Sequence, residues 1–202
     1  MRNPWLAKLR FGAFFFLAFL VMACQESVPK PRAYFRIEVP DHQFIPFDTN
    51  YPFRFDYADY AVVSNAKRSG HPYWLFVDYP QFDARIYLTY NDINGNMNQM
   101  LEDAHDLAYK HISVANDIRQ QLIFMPQEKV YGLFYHIKGA KVASPINFFL
   151  TDSTHHFLRG SLYFDMIPQN DSLQPVIDGI EKDIQQMIKS FSWKELPHEK
   201  SR

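Results

Sequence analysis

The stretch Ile146-Asn147-Phe148-Phe149-Leu150-Thr151-Asp152-Ser153-Thr154-His155-His156-Phe157-Leu158-Arg159-Gly160-Ser161-Leu162-Tyr163-Phe164 decides the fold class. Two strand-length runs, rich in aromatic and branched residues, flank a polar group whose Asp, Ser and Thr side chains bond readily to nearby amides and hold a reversal. Strands joined by so short a link lie antiparallel. Upstream, residues 122–125 and 130–137 have the same character, and Lys138-Gly139-Ala140-Lys141 supplies a turn before Ile146. Further back, residues 73–78 and 84–90 form a predicted hairpin around Pro80. In its second arm Ile86, Leu88 and Tyr90 alternate with Arg85, Tyr87 and Thr89, so one face is buried and the other wet. Phe53, Phe55 and Tyr57 alternate with Arg54 and Asp56 in the same way, as do Phe35, Ile37 and Val39 with Arg36 and Glu38. Residues 40–52, with three prolines, read as a loop.

Two segments change period. Met97, Leu101, Ala104, Ala108, His111, Ala115 and Ile118 recur every three or four residues, which predicts an amphipathic helix from residue 96 to about 118, capped by Asn94 or Asn96. Leu173, Val176, Ile177, Ile180, Ile184, Met187, Ile188 and Phe191 form the apolar face of a second helix, with Ser172 as its cap and Pro175 in its first turn. The sum is an α+β domain, two long amphipathic helices packed on an antiparallel sheet. The order of elements also fits a PsbP/Mog1-like sandwich.

The N-terminus has a different logic. Arg2, Lys8 and Arg10 precede an uncharged apolar run from Phe11 to Ala23, the layout of a secretory leader. Those 13 residues are fewer than the roughly 20 that a membrane-spanning helix needs. Val21-Met22-Ala23-Cys24 resembles the lipobox of bacterial lipoproteins, and Cys24 is the sole cysteine. The expected organisation is a signal peptide over 1–23, a lipidated tether over 24–32 holding Pro29 and Pro31, one domain over 33–193, and a polar disordered tail over 194–202. Losing the leader leaves 18 basic against 22 acidic residues. That balance gives no electrostatic reason to bind nucleic acid, and one cysteine permits no internal disulfide.

Chemistry-bearing motifs are sparse. Glu102 and His105 have the Glu-x-x-His spacing, but a carboxylate di-iron site needs that motif on two helices. Its repeat at Glu195 and His198 encloses Pro197. His105 and His111, six apart, sit about 240° around a helix from each other. No metal or cofactor is therefore expected. Asp152, Ser153 and His156 suggest a hydrolase, yet a triad needs serine on histidine with the acid behind it, and three residues crowded into one turn rarely reach that arrangement. A G-x-S-x-G elbow is absent.

Pro29-Lys30-Pro31-Arg32-Ala33-Tyr34, Asp78-Tyr79-Pro80, Ile86-Tyr87-Leu88-Thr89-Tyr90, Leu101-Glu102-Asp103-Ala104 with Tyr109 and His111, Val130-Tyr131-Gly132, and Thr151-Asp152-Ser153-Thr154 with His156-Phe157 and Gly160-Ser161-Leu162-Tyr163-Phe164, together with the Cys24 lipobox, resemble the GldD family of gliding-motility lipoproteins of Bacteroidetes. The resemblance implies a non-enzymatic component of the gliding and type IX secretion machinery that acts through other envelope proteins. Gln25 after the cysteine, in place of aspartate, favours the outer membrane, with the domain facing the periplasm. A loop tip on a rigid scaffold is a common place for binding residues, so Asp152, Ser153, Thr154, His156 and Arg159 are the candidate interaction residues, with Tyr163 nearby. A hydrolase at Asp152–His156, or a binder of a small apolar ligand in the aromatic interior, are the alternatives.

Overall fold

The computed structural model describes residues 40–66, 70–110, 112–165 and 170–195. Cys24, the tether, the expected strand over 35–39, His111 and residues 196–202 lie outside them. Ten strands and two α-helices follow in the order β1 (Phe44–Phe47), β2 (Phe53–Ala58), β3 (Val62–Asn65), β4 (Leu75–Tyr79), β5 (Ala84–Asp92), α1 (Met97–Tyr109), β6 (Asp117–Met125), β7 (Val130–Lys138), β8 (Ile146–Thr151), β9 (His156–Phe164), α2 (Asn170–Ser190) and β10 (Ser192–Trp193). A seven-stranded antiparallel sheet runs β3-β4-β5-β9-β8-β7-β6, and a small sheet runs β1-β2-β10. The expected α+β class holds, as do the hairpin β4-β5 and the pairing of β8 with β9.

Strand alternation divides the large sheet into an inner and an outer face. The inner face carries Ile86, Leu88, Leu158 and Leu162, and it packs with α2 and the small sheet around the main core. Phe53 stacks on both Phe55 and Phe191 there, at centroid distances of 6.1 and 5.8 Å. On the outer face Tyr135, Ile137, Phe149 and Phe157 pack with Ala104 and Ala108 of α1 in a smaller core. The two helices thus take opposite faces, and α1 stands over the β7-β8-β9 half alone.

Several expectations need correction. The first helix ends at Tyr109, not near Ile118. Asn116 N–H donates to Lys138 C=O, and β6 then pairs with β7 along its whole length. Pairing with β7 draws Ala115 and Ile118 out of the helical stripe. Gly139 permits the approach, since a Cβ there would lie 2.5 Å from the Val114 carbonyl oxygen. Of the two described helices, only α2, with 21 residues, is long. Asn96 does occupy the cap position of α1, but its Oδ1 accepts from Asn94 N–H, not from the helix. In α2 the chain is already helical at Asn170, whose Nδ2 donates to the carbonyls of Gly139 and Val142. Ser172 therefore lies inside the helix, and Pro175 falls beyond its first turn.

Residues 40–52 are not all loop, because β1 pairs with β2 despite Pro46. Its place at the edge of the small sheet makes a missing N–H tolerable. β3 adds a strand the sequence pattern does not predict, its four residues showing no strong alternation. Lys194, expected in the polar tail, is tied down: its backbone N–H donates to Pro52 C=O and its Nζ lies 2.5 Å from Asp48 Oδ1.

Candidate functional site

The turn between β8 and β9 is built on one carboxylate. Asp152 Oδ1 accepts from the backbone N–H groups of Thr154, His155 and His156 at 2.8–2.9 Å, and Oδ2 accepts from the Thr154 hydroxyl at 2.8 Å. Burial pushes the Asp152 pKa up, but these four donors outweigh it and hold the carboxyl at about 2. Ser153 closes the turn in the left-handed region, φ 69°, with its N–H on Thr151 Oγ1. Asp152 is thus committed to the turn, leaving Ser153 and Thr154 exposed at its tip.

His156 belongs to the inner side. Its Nδ1 lies 2.6 Å from the Tyr90 hydroxyl, which donates to Asp92, and its ring stacks on Trp193 at 5.0 Å. No hydrogen bond joins it to Ser153 among the described residues. Arg159, three positions on, projects from the outer face. The structure therefore brings Asp152, Ser153, Thr154 and His156 to one end of the sheet and sets Arg159 apart on its outer face.

The surroundings of Arg159 are the more open chemistry. Beyond the cover of α1, the outer face of β4, β5 and β9 forms a basin of about 960 Å³ lined in part by Asp78, Arg85, Tyr87, Thr89, Ser161 and Tyr163. Pairing of β5 with β9 sets Tyr87 opposite Ser161, Thr89 opposite Arg159 and Arg85 opposite Tyr163. Tyr87 and Tyr163 meet edge to face at 5.5 Å and remain 38% and 39% exposed. Arg85 is already satisfied: it pairs with Asp78 at 2.5 Å and lies 4.5 Å over the Phe76 ring. Arg159 differs. Burial lowers its pKa, with nearby Tyr163 and Asp103 working against the fall, and no hydrogen bond or ion pair engages its guanidinium among the described residues.

Tyr87, Thr89 and Arg85 were not singled out by sequence, although their alternation had already placed them on the wet face. Their partnership with Arg159 and Tyr163 depends on a pairing of strands about 70 residues apart. Of the Glu-x-x-His pair, His105 stacks on Tyr109 at 4.2 Å. Among the described residues no three metal-ligating side chains gather.

A second polar cluster is internal. Asp183 of α2, 1% exposed, accepts from the Tyr60 hydroxyl at 2.5 Å and lies 2.7 Å from His42 Nδ1. Burial raises its pKa, with Tyr60 and His42 working against the rise. This cluster fastens the start of the described chain to the core.

The model of the family described as gliding motility lipoprotein GldD matches residues 24–193. The chain belongs to the GldD family. Membership makes this GldD-family chain a gliding-motility-associated lipoprotein, a membrane-anchored protein of the envelope. No helix among its described residues is long and apolar enough to cross a membrane. No curated protein matches it. Among solved structures, the GldD-family chain is similar to the solution structure of cyanobacterial PsbP (CyanoP) from Synechocystis sp. PCC 6803, with 14% identity and a TM-score of 0.41, covering 77% of this chain and 95% of that one.

Proposed function

We propose that this chain is a structural or assembly component of the gliding machinery and the linked type IX secretion system, held by lipid on Cys24 and acting through protein partners. Its place in this reading is the periplasmic side of the outer membrane. Family membership supports the broad assignment. The observation that carries the mode of action is the outer basin, where an Arg159 guanidinium that no hydrogen bond or ion pair engages among the described residues stands beside two half-exposed tyrosines. Arg and Tyr are the side chains most often found at energetic hot spots of interfaces. A partially buried cation loses hydration that only an incoming acceptor restores.

The interaction surface proposed from sequence is narrowed in this form: Arg159 is its centre, Tyr87 and Tyr163 flank it, and Ser153 and Thr154 lie at the neighbouring turn, where Asp152 holds the backbone of Thr154 and His156, while the His156 ring faces the inner side. The experiment replaces Arg159 with Gln in cells that glide. Gliding or type IX secretion should fail, and envelope proteins crosslinked to the wild type should be lost from pull-downs, with the amount of the chain unchanged. Normal gliding, secretion and pull-downs would overturn the reading. Loss of Cys24 should release the chain from membranes, and retention of a Cys24→Ser variant there would exclude the lipid anchor.

A further inference from the structure

The two ends of the large sheet are finished differently. At one end β3 offers four residues; at the other β6 offers nine, paired among the described residues with β7 on one side only. A long edge presents a row of backbone donors and acceptors that accepts another strand, and proteins ordinarily blunt such edges with charge, proline or shortness. In β6 the Asp117–Arg119 ion pair sits at one end, while Leu122 and Phe124 farther along are 70% and 65% exposed. Both project from the outer face, where Phe124 lies 5.7 Å from the Tyr131 ring. We infer that β6 pairs antiparallel with β6 of a second copy of this chain, on a two-fold axis through Ile123, joining the two large sheets edge to edge.

Complementarity selects the occupant and the register. Antiparallel neighbours directly opposite each other share a face, so a two-fold at Ile123 sets Leu122 of each copy against Phe124 of the other. The most exposed apolar side chains of the strand then cover each other, twice. It also runs Asp117 and Arg119 beside the turn that carries Glu128 and Lys129 in the second copy, with opposite charges in reach at both ends. A two-fold at Gln121 fails this test, since it opposes Asp117 to Met125 and Arg119 to Ile123. A two-fold contact also closes on itself, leaving the short β3 edges as the free ends of the joined large sheets among the described residues, so it ends at a dimer and does not propagate. The axis stands normal to the sheet, which puts both outer basins on one side of the pair.

The register makes an exacting test with the full-length chain in cell membranes, the parental protein with Cys24 alone setting the background. Ile123→Cys lies on the axis and should give an oxidised dimer. Gln121→Cys should give none, because its twin is displaced about 13 Å along the strand. Ile123 is buried, so a second measurement uses exposed positions. Chains with Leu122→Cys and chains with Phe124→Cys should crosslink when produced together and not when either is produced alone. Absence of a dimer in both measurements, equal crosslinking at 121 and 123, or a crosslink to a protein of different mass would overturn the pairing.

Discussion

The inner and outer faces of the seven-stranded sheet have the same backbone but opposite fates. The inner face is closed by α2 and by the small sheet, with Phe53, Phe191 and Ile180 buried between them. Among the described residues the outer face is closed only where the 13-residue α1 reaches, and the rest shows Tyr87, Tyr163 and Arg159 to solvent. Stability therefore concentrates on one face and opportunity for contact on the other. Substitutions should separate the two.

The largest effect belongs to the inner face. Ile180→Ala, at a site with no exposure, should cost about 3–5 kcal/mol, read as a fall in the denaturation midpoint. Leu101→Ala beneath α1, where the side chain is only partly buried, should cost under about 2 kcal/mol. Equal losses would break the comparison.

Next come two carboxylates that respond to acid in opposite senses. Asp152, held at about 2 in the folded state, stabilises the fold above the ordinary carboxylate range, and that contribution of about 2 kcal/mol is lost as pH falls from about 4 toward 2. Burial raises the Asp183 pKa, so its protonated carboxyl stabilises the fold at low pH and that contribution is lost as pH rises through its folded value. Asp152→Asn should therefore lower stability at pH 7 and flatten the acid limb of an unfolding profile. Asp183→Asn keeps the buried shape and should steepen the acid-side loss, with a smaller change at pH 7. Matching profiles for the two variants would show that the environments do not differ as described.

The smallest stability effect should come from the open face. Arg159→Gln and Tyr163→Ala should each shift the midpoint by less than about 1 kcal/mol, while abolishing capture of envelope partners. A large loss of stability from Arg159→Gln would make it a structural residue and remove the contrast between the faces.

Much of this contrast could be read before any coordinates. Residues 84–92 alternate so cleanly that the wet side chains Arg85, Tyr87 and Thr89 follow from the pattern, and the Asp152 turn follows from its own side-chain chemistry. The end of α1 does not, because Ala115 and Ile118 continue a helical period that pairing with β7 overrides. β1 hides behind Pro46, acceptable only because the strand lies at an edge. The basin is illegible for a different reason: Tyr87 and Tyr163 meet through β5-β9 pairing, a long-range choice that local periodicity does not encode. The buried Asp183 is equally silent in sequence, since its partners His42 and Tyr60 lie more than 120 residues away.

That last cluster has a mechanical meaning. His42, near the start of the described residues, is tied through Asp183 directly to α2, the helix packed in the main core, so a tension that reaches His42 passes to that helix. Behind that clip, β2 is gripped on both sides, by β1 and by β10, and Lys194 pins the preceding loop at Asp48 and Thr49. The first and last described segments of the chain therefore share one load path. Among the described residues such a fastening resists peeling at His42, where the histidine–aspartate contact at 2.7 Å and the stacking of His42 on Phe44 bear the pull.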